Sequence, residues 1–173
     1  MGTVLPLFIA LAIGFGAALQ TSMLGALGRA RGPGEAAWLS LLATVCGLTT
    51  FLTIRAFRGD PPLLPAPFDR AGIFLVVAVA AAAGIAVIAR DVPVYYVITG
   101  LFGLAFIFGA AAIVPRIGVA LFLATTIAGQ LIGAIALDHI GAFGQPVYAL
   151  SPLRLLGAVM LLGGVVLVRG LGR

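Results

Sequence analysis

Long charge-free stretches constrain this chain more than any other feature. Between Leu5 and Leu27 there is no Asp, Glu, Lys, Arg or His, and five later stretches repeat the pattern. A helix that crosses about 30 Å of hydrocarbon at 1.5 Å per residue needs about 20 apolar residues. The six windows are Leu5 to Leu27, Ala36 to Ile54, Ala71 to Ala89, Pro93 to Val114, Ile117 to Leu137 and Leu155 to Val168. The sequence therefore predicts an all-α polytopic bundle of about six spanning helices, forming one transmembrane domain over residues 1–173.

The distribution of charge indicates a lipid environment and argues against nucleic acid as a partner. All ten basic residues are Arg, and with five acids they give a formal net charge of +5. They are scattered singly among the junctions, as expected of anchors that face anionic headgroups of the bilayer and not of one basic patch.

The Arg residues also bear on the orientation in the membrane. With six spans, the side of the N-terminus collects Arg55, Arg58, Arg70, Arg116, Arg169 and Arg173, and the opposite side collects Arg29, Arg31, Arg90 and Arg154. This excess favours cytoplasmic termini. Without a crossing at Ala71 to Ala89 the two counts become equal, so fixed and dual insertion both stay open.

The junctions between the windows differ in length. Most are short, which predicts that helices adjacent in sequence form antiparallel pairs. The segment Arg55 to Arg70 contains four Pro residues and is predicted to exclude helix. Before the last window, Ser151 and Pro152 form the pattern of an N-cap followed by Pro at the first helical position, so this helix is expected to begin at Pro152.

Polar side chains inside the windows are the candidates for function. In the fifth window Thr126, Gln130 and Asp138 recur at intervals of four or eight residues, so they share one face of a helix. The first window contributes Gln20. An amide in hydrocarbon needs hydrogen-bond partners, so both Gln side chains should face protein or a polar cavity.

Two roles for these residues remain open at this point. Gln20 and Gln130 can hold helices together through hydrogen bonds of about 1 kcal/mol each, or they can line a substrate cavity together with Thr126. Asp138 and His139 are adjacent titratable residues near that region. They are candidates for gating or proton coupling, with capping of the helix end as the alternative.

Small residues indicate where helices approach closely. Gly129 and Gly133 form a small-xxx-small pair, and Gly100 and Gly103 lie in the fourth window. Helices in lipid associate through close packing, so these glycines are predicted to let backbones touch, within one protomer or across a dimer. Such faces also let helices slide in a transporter.

Catalytic chemistry has little support in this sequence. The only His is His139, the only Cys is Cys46, and no serine lies in a GxSxG elbow. There is no HExxH motif, no acid cluster for a metal and no phosphate-binding glycine loop. We therefore expect a protein that is not an enzyme and that carries no metal and no cofactor.

Several short motifs resemble the YdcZ-like family of the drug/metabolite transporter superfamily. The segments that carry the resemblance are Leu19-Gln20, Val114-Pro115-Arg116-Ile117-Gly118, Ala128-Gly129-Gln130-Leu131, Leu137-Asp138-His139-Ile140-Gly141 and Ser151-Pro152-Leu153-Arg154. The likeness covers most of the chain outside residues 57–92. The family is similar to five-helix proteins, so the additional window Ala71 to Ala89 implies either three plus three inverted helices or one re-entrant window.

The resemblance implies transport of a small molecule by alternating access, in the inner membrane of a bacterium and as a homodimer. It names no substrate. No window contains an embedded acid, so proton exchange through an intramembrane Glu does not carry over. The alternative function is a noncatalytic membrane scaffold that assembles with other proteins through its small-residue faces.

Overall fold

The structure of the protein is a computed structural model that describes residues 4–170. Arg173, which counts toward the predicted orientation, lies outside the described residues. Six α-helices account for most of the chain, and the described residues contain no strand. They are α1 Val4–Arg31, α2 Pro33–Phe57, α3 Ala71–Ile88, α4 Thr99–Ile117, α5 Val119–Ile140 and α6 Pro152–Arg169. A 3-10 turn, Val94–Ile98, leads directly into α4.

Most of these helices have the length and composition of membrane spans. Five are long and apolar enough to cross a bilayer, counting Val94–Ile117 as one continuous segment, and Pro152–Val168 is a shorter apolar helix. Their outer surfaces carry many exposed Leu, Ile, Val and Phe side chains, as expected of helices that face lipid. The prediction of an all-helical polytopic bundle is confirmed.

The predicted start of the last helix agrees with the structure. Ser151 caps α6, since its Oγ accepts the backbone N–H of Arg154 at 3.3 Å, and Pro152 is the first helical residue. The Pro-rich segment forms no helix after Phe57, but its first three residues, which were predicted to be non-helical, still belong to α2. The four Pro residues all lie after this point, so they do not interrupt the last turn of α2.

Two other junctions are tighter than the sequence predicted, because single glycines join the helices. Gly32 alone separates α1 from α2, and Gly118 alone separates α4 from α5. Their φ angles are 98° and 83°, and both have ψ near that of an extended chain. A side chain at either position would be strained, because L-residues rarely adopt this region. Both glycines also bond their N–H to the carbonyl four residues before.

The contacts divide the chain into two compact units. Unit 1 contains residues 4–26 and 105–170 of the described chain, and unit 2 contains residues 27–104. In unit 1, Ala10, Ile113 and Phe122 form a buried apolar cluster, and the ring of Phe106 lies 5.7 Å from that of Phe122. In unit 2, α2 packs along α3 and against the turn before α4. Each unit thus has its own packed interior.

Candidate functional site

Within unit 1, α1 and α5 touch through glycines on both helices. A Cβ added at Gly14 would overlap the carbonyl oxygen of Thr126 and would lie 3.0 Å from the backbone nitrogen of Gln130. A Cβ at Gly129 would overlap the carbonyl oxygen of Leu11. The two backbones are therefore in direct contact, which only glycine permits.

The same contact continues toward the end of α1. A Cβ at Gly133 would lie 2.9 Å from the Cβ of Ala18 and 3.0 Å from Cδ2 of Phe15. From Leu11 to Ala18 along α1, the neighbours advance from Gly129 to Gly133 along α5. The two helices consequently run in the same direction.

The predicted binding residues lie around this contact, each in a different environment. Thr126 is buried, and its hydroxyl donates to the carbonyl oxygens of Phe122 and Leu123 at 3.0 Å. The half-buried side chain of Gln130 has no hydrogen-bond partner within residues 4–168. Gln20 is half-buried and does interact with another residue. The structure thus puts Thr126 and Gln130 beside Gly14.

Gln20 and Gln130 lie at different depths along the shared helix direction. Gln20 follows Gly14 by six residues, which is about 9 Å along the axis at 1.5 Å per residue. Gln130 lies level with Gly14 itself, because their backbones touch. A ligand that contacts both amides would therefore extend along the helices and not across them.

Unit 2 contains a second contact of the same kind, between α2 and the start of α4. A Cβ at Gly100 would overlap the carbonyl oxygen of Ser40. The hydroxyl of Thr44 lies 2.9 Å from the carbonyl oxygens of both Ser40 and Gly100. A Cβ at Gly47 would lie 2.8 Å from Cδ2 of Leu101 and 3.0 Å from Cδ2 of Leu104. These helices too run in the same direction.

The two contacts correspond residue by residue at a constant spacing of 86 positions. Gly14 corresponds to Gly100, and Gly47 corresponds to Gly133. The residues they touch keep the same spacing: Ser40 with Thr126, Thr44 with Gln130, Phe15 with Leu101 and Ala18 with Leu104. The linking glycines Gly32 and Gly118 keep it as well. The chain is therefore an internal repeat, in which α1 and α2 correspond to α4 and α5.

Sequence reasoning missed this repeat, although three glycine pairs at one spacing are a signal that the amino-acid sequence itself contains. The identical positions are few, because lipid-facing residues need only be apolar and do not preserve identity. Only positions where two backbones touch, or where φ is positive, demand the same residue.

The parallel direction of both contacts bears on α3. Helices α1 and α5, and likewise α2 and α4, can run in the same direction through a bilayer only when α3 also crosses it. Helix α3 is continuous over 18 residues, about 27 Å at 1.5 Å per residue. Both observations favour a spanning helix over a re-entrant one.

We expect single cysteines that replace Arg58 and Arg90 in a Cys46→Ser background to react with an impermeant maleimide from opposite sides of the membrane. Arg58 follows α2 and Arg90 follows α3, so one crossing separates them. Labelling intact cells and inverted vesicles measures the side. Reaction of both cysteines from the same side only would show that α3 does not span.

The end of α5 is tied to the start of α6 by charged and polar contacts. An oxygen of the Asp138 carboxylate lies 3.4 Å from Nη2 of Arg154, and the Arg154 guanidinium lies over the ring of Tyr148. The backbone N–H of Leu150 donates to Nδ1 of His139 at 3.2 Å. Asp138 and His139 thus both hold the loop before α6.

The described cavities of unit 1 are mostly apolar. One of about 230 Å³ lies beside the contact of α1 and α5 and includes Phe8, Phe15 and Gly129. Another, of about 560 Å³, lies between α1 and α4 and ends at Arg116. Neither cavity is lined by Gln20, Thr126 or Gln130.

Gly103, which was predicted to pack against another helix, lies half-buried in α4.

Comparison with known families decides the relationship. A family model described as "Putative inner membrane exporter, YdcZ" matches residues 5–167. This chain belongs to the YdcZ family. The matched range also includes residues 57–92, which the short motifs did not cover. As a YdcZ protein, the chain is a multi-pass inner membrane protein of a transporter type.

Two further comparisons add no relative. No curated protein matches the chain, and no solved structure matches it. The mechanism of this protein is therefore inferred from its own geometry.

Proposed function

We propose that this YdcZ protein exports a small molecule by alternating access, and that Gln20, Thr126 and Gln130 form its substrate site. In this mechanism two equivalent halves exchange conformations, and the site is exposed first to one side of the membrane and then to the other. Asp138 and His139 serve as a gate or proton-coupling element at the end of α5.

The internal repeat is the observation that supports this mechanism. Each half contributes a first helix, a single positive-φ glycine and a second helix, and the same glycine contacts recur in both units. Three helices separate the start of one half from the start of the next, and an odd number of crossings inverts the second half in the membrane. Inverted repeats of this kind are typical of transporters that work by alternating access.

The environment of Gln130 supports its assignment to the substrate. Its amide carries two donors and one acceptor oxygen, and these have no partner within residues 4–168. An amide in the middle of a spanning helix costs free energy unless it forms hydrogen bonds. The corresponding Thr44 has its hydroxyl beside two carbonyl oxygens, so the two halves differ at this position. A substrate that bonds the Gln130 amide offsets its cost.

Thr126 and Gln20 complete the proposed site in different ways. The Thr126 hydroxyl already bonds carbonyls of its own helix, so we assign it the role of fixing α5 beside Gly14. Gln20 lies further along α1 and reaches a second polar group of the same substrate. Such a substrate is elongated, with two polar groups separated by about 9 Å, the offset at 1.5 Å per residue.

A ligand screen followed by a flux assay tests this proposal. The purified protein is tested by thermal unfolding against metabolites, cations and detergent-like drugs, beside Gln130→Leu and the control Gln145→Leu. A ligand at about 100 times its dissociation constant stabilises by about 2.7 kcal/mol. We expect a stabilising ligand whose effect is lost only in Gln130→Leu and whose exchange across proteoliposomes requires the wild-type protein.

Two outcomes would contradict the proposal. A ligand that binds equally to Gln130→Leu would remove Gln130 from the site. A ligand that binds without any flux, or a folded protein that ignores a broad library, would favour the scaffold, for which Gln130→Leu changes only assembly.

A further inference from the structure

The cavity between α1 and α4 in unit 1 has an unusual combination of walls. Its lining is apolar along its length and includes Leu5, Ile9, Ile13, Phe108 and Ala112, and Arg116 lies at one end. Gly109 helps to shape it, since a Cβ there would overlap Cδ1 of Ile13. The volume, about 560 Å³, is within the range of small-molecule sites, about 300–1,000 Å³.

Arg116 brings a positive charge that the described protein does not neutralise. Ion pairs join Arg31 to Asp91, Arg55 to Asp60 and Arg154 to Asp138. Arg116 makes no hydrogen bond or ion pair with the side chains of residues 4–168. Arg116 lies in the last turn of α4, where a positive charge is favourable. That preference explains the charge but not the apolar cavity beside it.

The volume of the cavity corresponds to about one aliphatic chain. At about 30 Å³ for each methylene-sized group, about 560 Å³ equals fewer than about twenty such groups. The cavity is open along one side, since Leu5, Ile9 and Phe108 are each more than a third exposed. The exposed guanidinium of Arg116 at one end favours a complementary anionic group on the occupant.

We propose that this cavity binds a single-chain amphiphile with an anionic headgroup, a carboxylate or a phosphate, which Arg116 pairs while the chain lies against Ile9, Ile13 and Phe108. This inference rests on the proposed function only if the bound amphiphile is also the exported substrate. Binding is measured without flux, so either proposal can fail alone.

Equilibrium binding of hexadecanoate to the protein in zwitterionic nanodiscs, with empty nanodiscs subtracted, tests the site. Hexadecanol supplies the chain without the charge, acetate supplies the charge without the chain, and phosphatidylglycerol supplies two chains. We expect saturable binding of hexadecanoate alone. Arg116→Gln should weaken it about ten-fold or more, because a charge-assisted bond is lost, and Arg58→Gln should not.

A second pair of variants tests the apolar wall. Ala112 and Ala111 are both exposed on α4, but only Ala112 lines the cavity, so Ala112→Phe should abolish binding and Ala111→Phe should leave it unchanged. Equal affinity for hexadecanol, unchanged affinity in Arg116→Gln, or displacement of hexadecanoate by phosphatidylglycerol at equal concentration would each overturn the proposal. Circular dichroism confirms that every variant is folded.

Discussion

Gly14→Ala is expected to destabilise this protein by about 1–3 kcal/mol or more, one of the largest effects of a single methyl group in the chain. The added Cβ would overlap the carbonyl oxygen of Thr126. A backbone carbonyl within a helix cannot rotate away, so α1 and α5 must separate along their contact. That separation also removes the close approach at Gly129 and Gly133.

Gly100→Ala should have an effect of similar size, because its Cβ would overlap the carbonyl oxygen of Ser40 in the corresponding contact. Unfolding by sodium dodecyl sulfate in mixed micelles, followed by circular dichroism, measures both changes. Gly163→Ala is the matched control, since nothing lies within 4 Å of the Cβ it adds. It should stabilise slightly, because Ala is favoured over Gly in a helix by about 0.5–1 kcal/mol.

Equal stability of the wild type, Gly14→Ala and Gly100→Ala would contradict both glycine contacts. A loss in Gly14→Ala alone would mean that unit 2 tolerates the methyl group and that the two contacts are not equivalent. Either result would weaken the case for an internal repeat.

The spans of this protein could be predicted from sequence because the bilayer imposes a length and an absence of charge on each helix. Those two requirements are local, so the charge-free windows lie close to α1 to α6, and Ser151 and Pro152 mark the start of the last helix. The single-residue junctions were not predicted, because charged residues such as Arg29 and Arg31 indicate a loop between two apolar windows. Both Arg residues instead lie in the last turn of α1, where a positive charge is favourable.

The sequence did not predict which helix packs against which face, because this depends on residues that are distant in the chain. The exposed faces of these helices are mostly apolar, so hydrophobicity cannot distinguish a face that meets lipid from one that meets protein. The sequence singled out Gly129 and Gly133 but could not say that they touch α1. It also placed Thr126 and Gln130 on one face without showing that the Thr126 hydroxyl is occupied by its own helix.

Gly47→Ala and Gly133→Ala are expected to shift the balance between inward-open and outward-open states in opposite directions. At Gly47 the new Cβ would press on the ends of two Leu side chains at 2.8–3.0 Å, which can rotate away. At Gly133 it would meet the Cβ of Ala18 at 2.9 Å, which moves only with its helix, so Gly133→Ala should lose more stability than Gly47→Ala. If the two halves exchange conformations, a methyl group in the first half that disfavours the inward-open state corresponds to a methyl group in the second half that disfavours the outward-open state, and the reverse also holds.

The shift can be measured with a single cysteine in place of Gln130, near the middle of α5, in a Cys46→Ser background. The ratio of its labelling rates from the two sides of a proteoliposome reports the two states, and a cysteine at Arg58 reports how many molecules are inserted in each orientation. A bias of about 1.4 kcal/mol in each variant changes the ratio about ten-fold, so the two variants should differ about a hundred-fold.

The double variant separates alternating access from simple damage to the packing. Opposite biases cancel, so Gly47→Ala combined with Gly133→Ala should return the labelling ratio to that of the wild type even though its stability is the lowest of the series. A static scaffold has no second state to populate. In that case both single variants would change labelling in the same sense, and the double variant would change it further. The corresponding glycines would then reflect an internal repeat that has no role in transport.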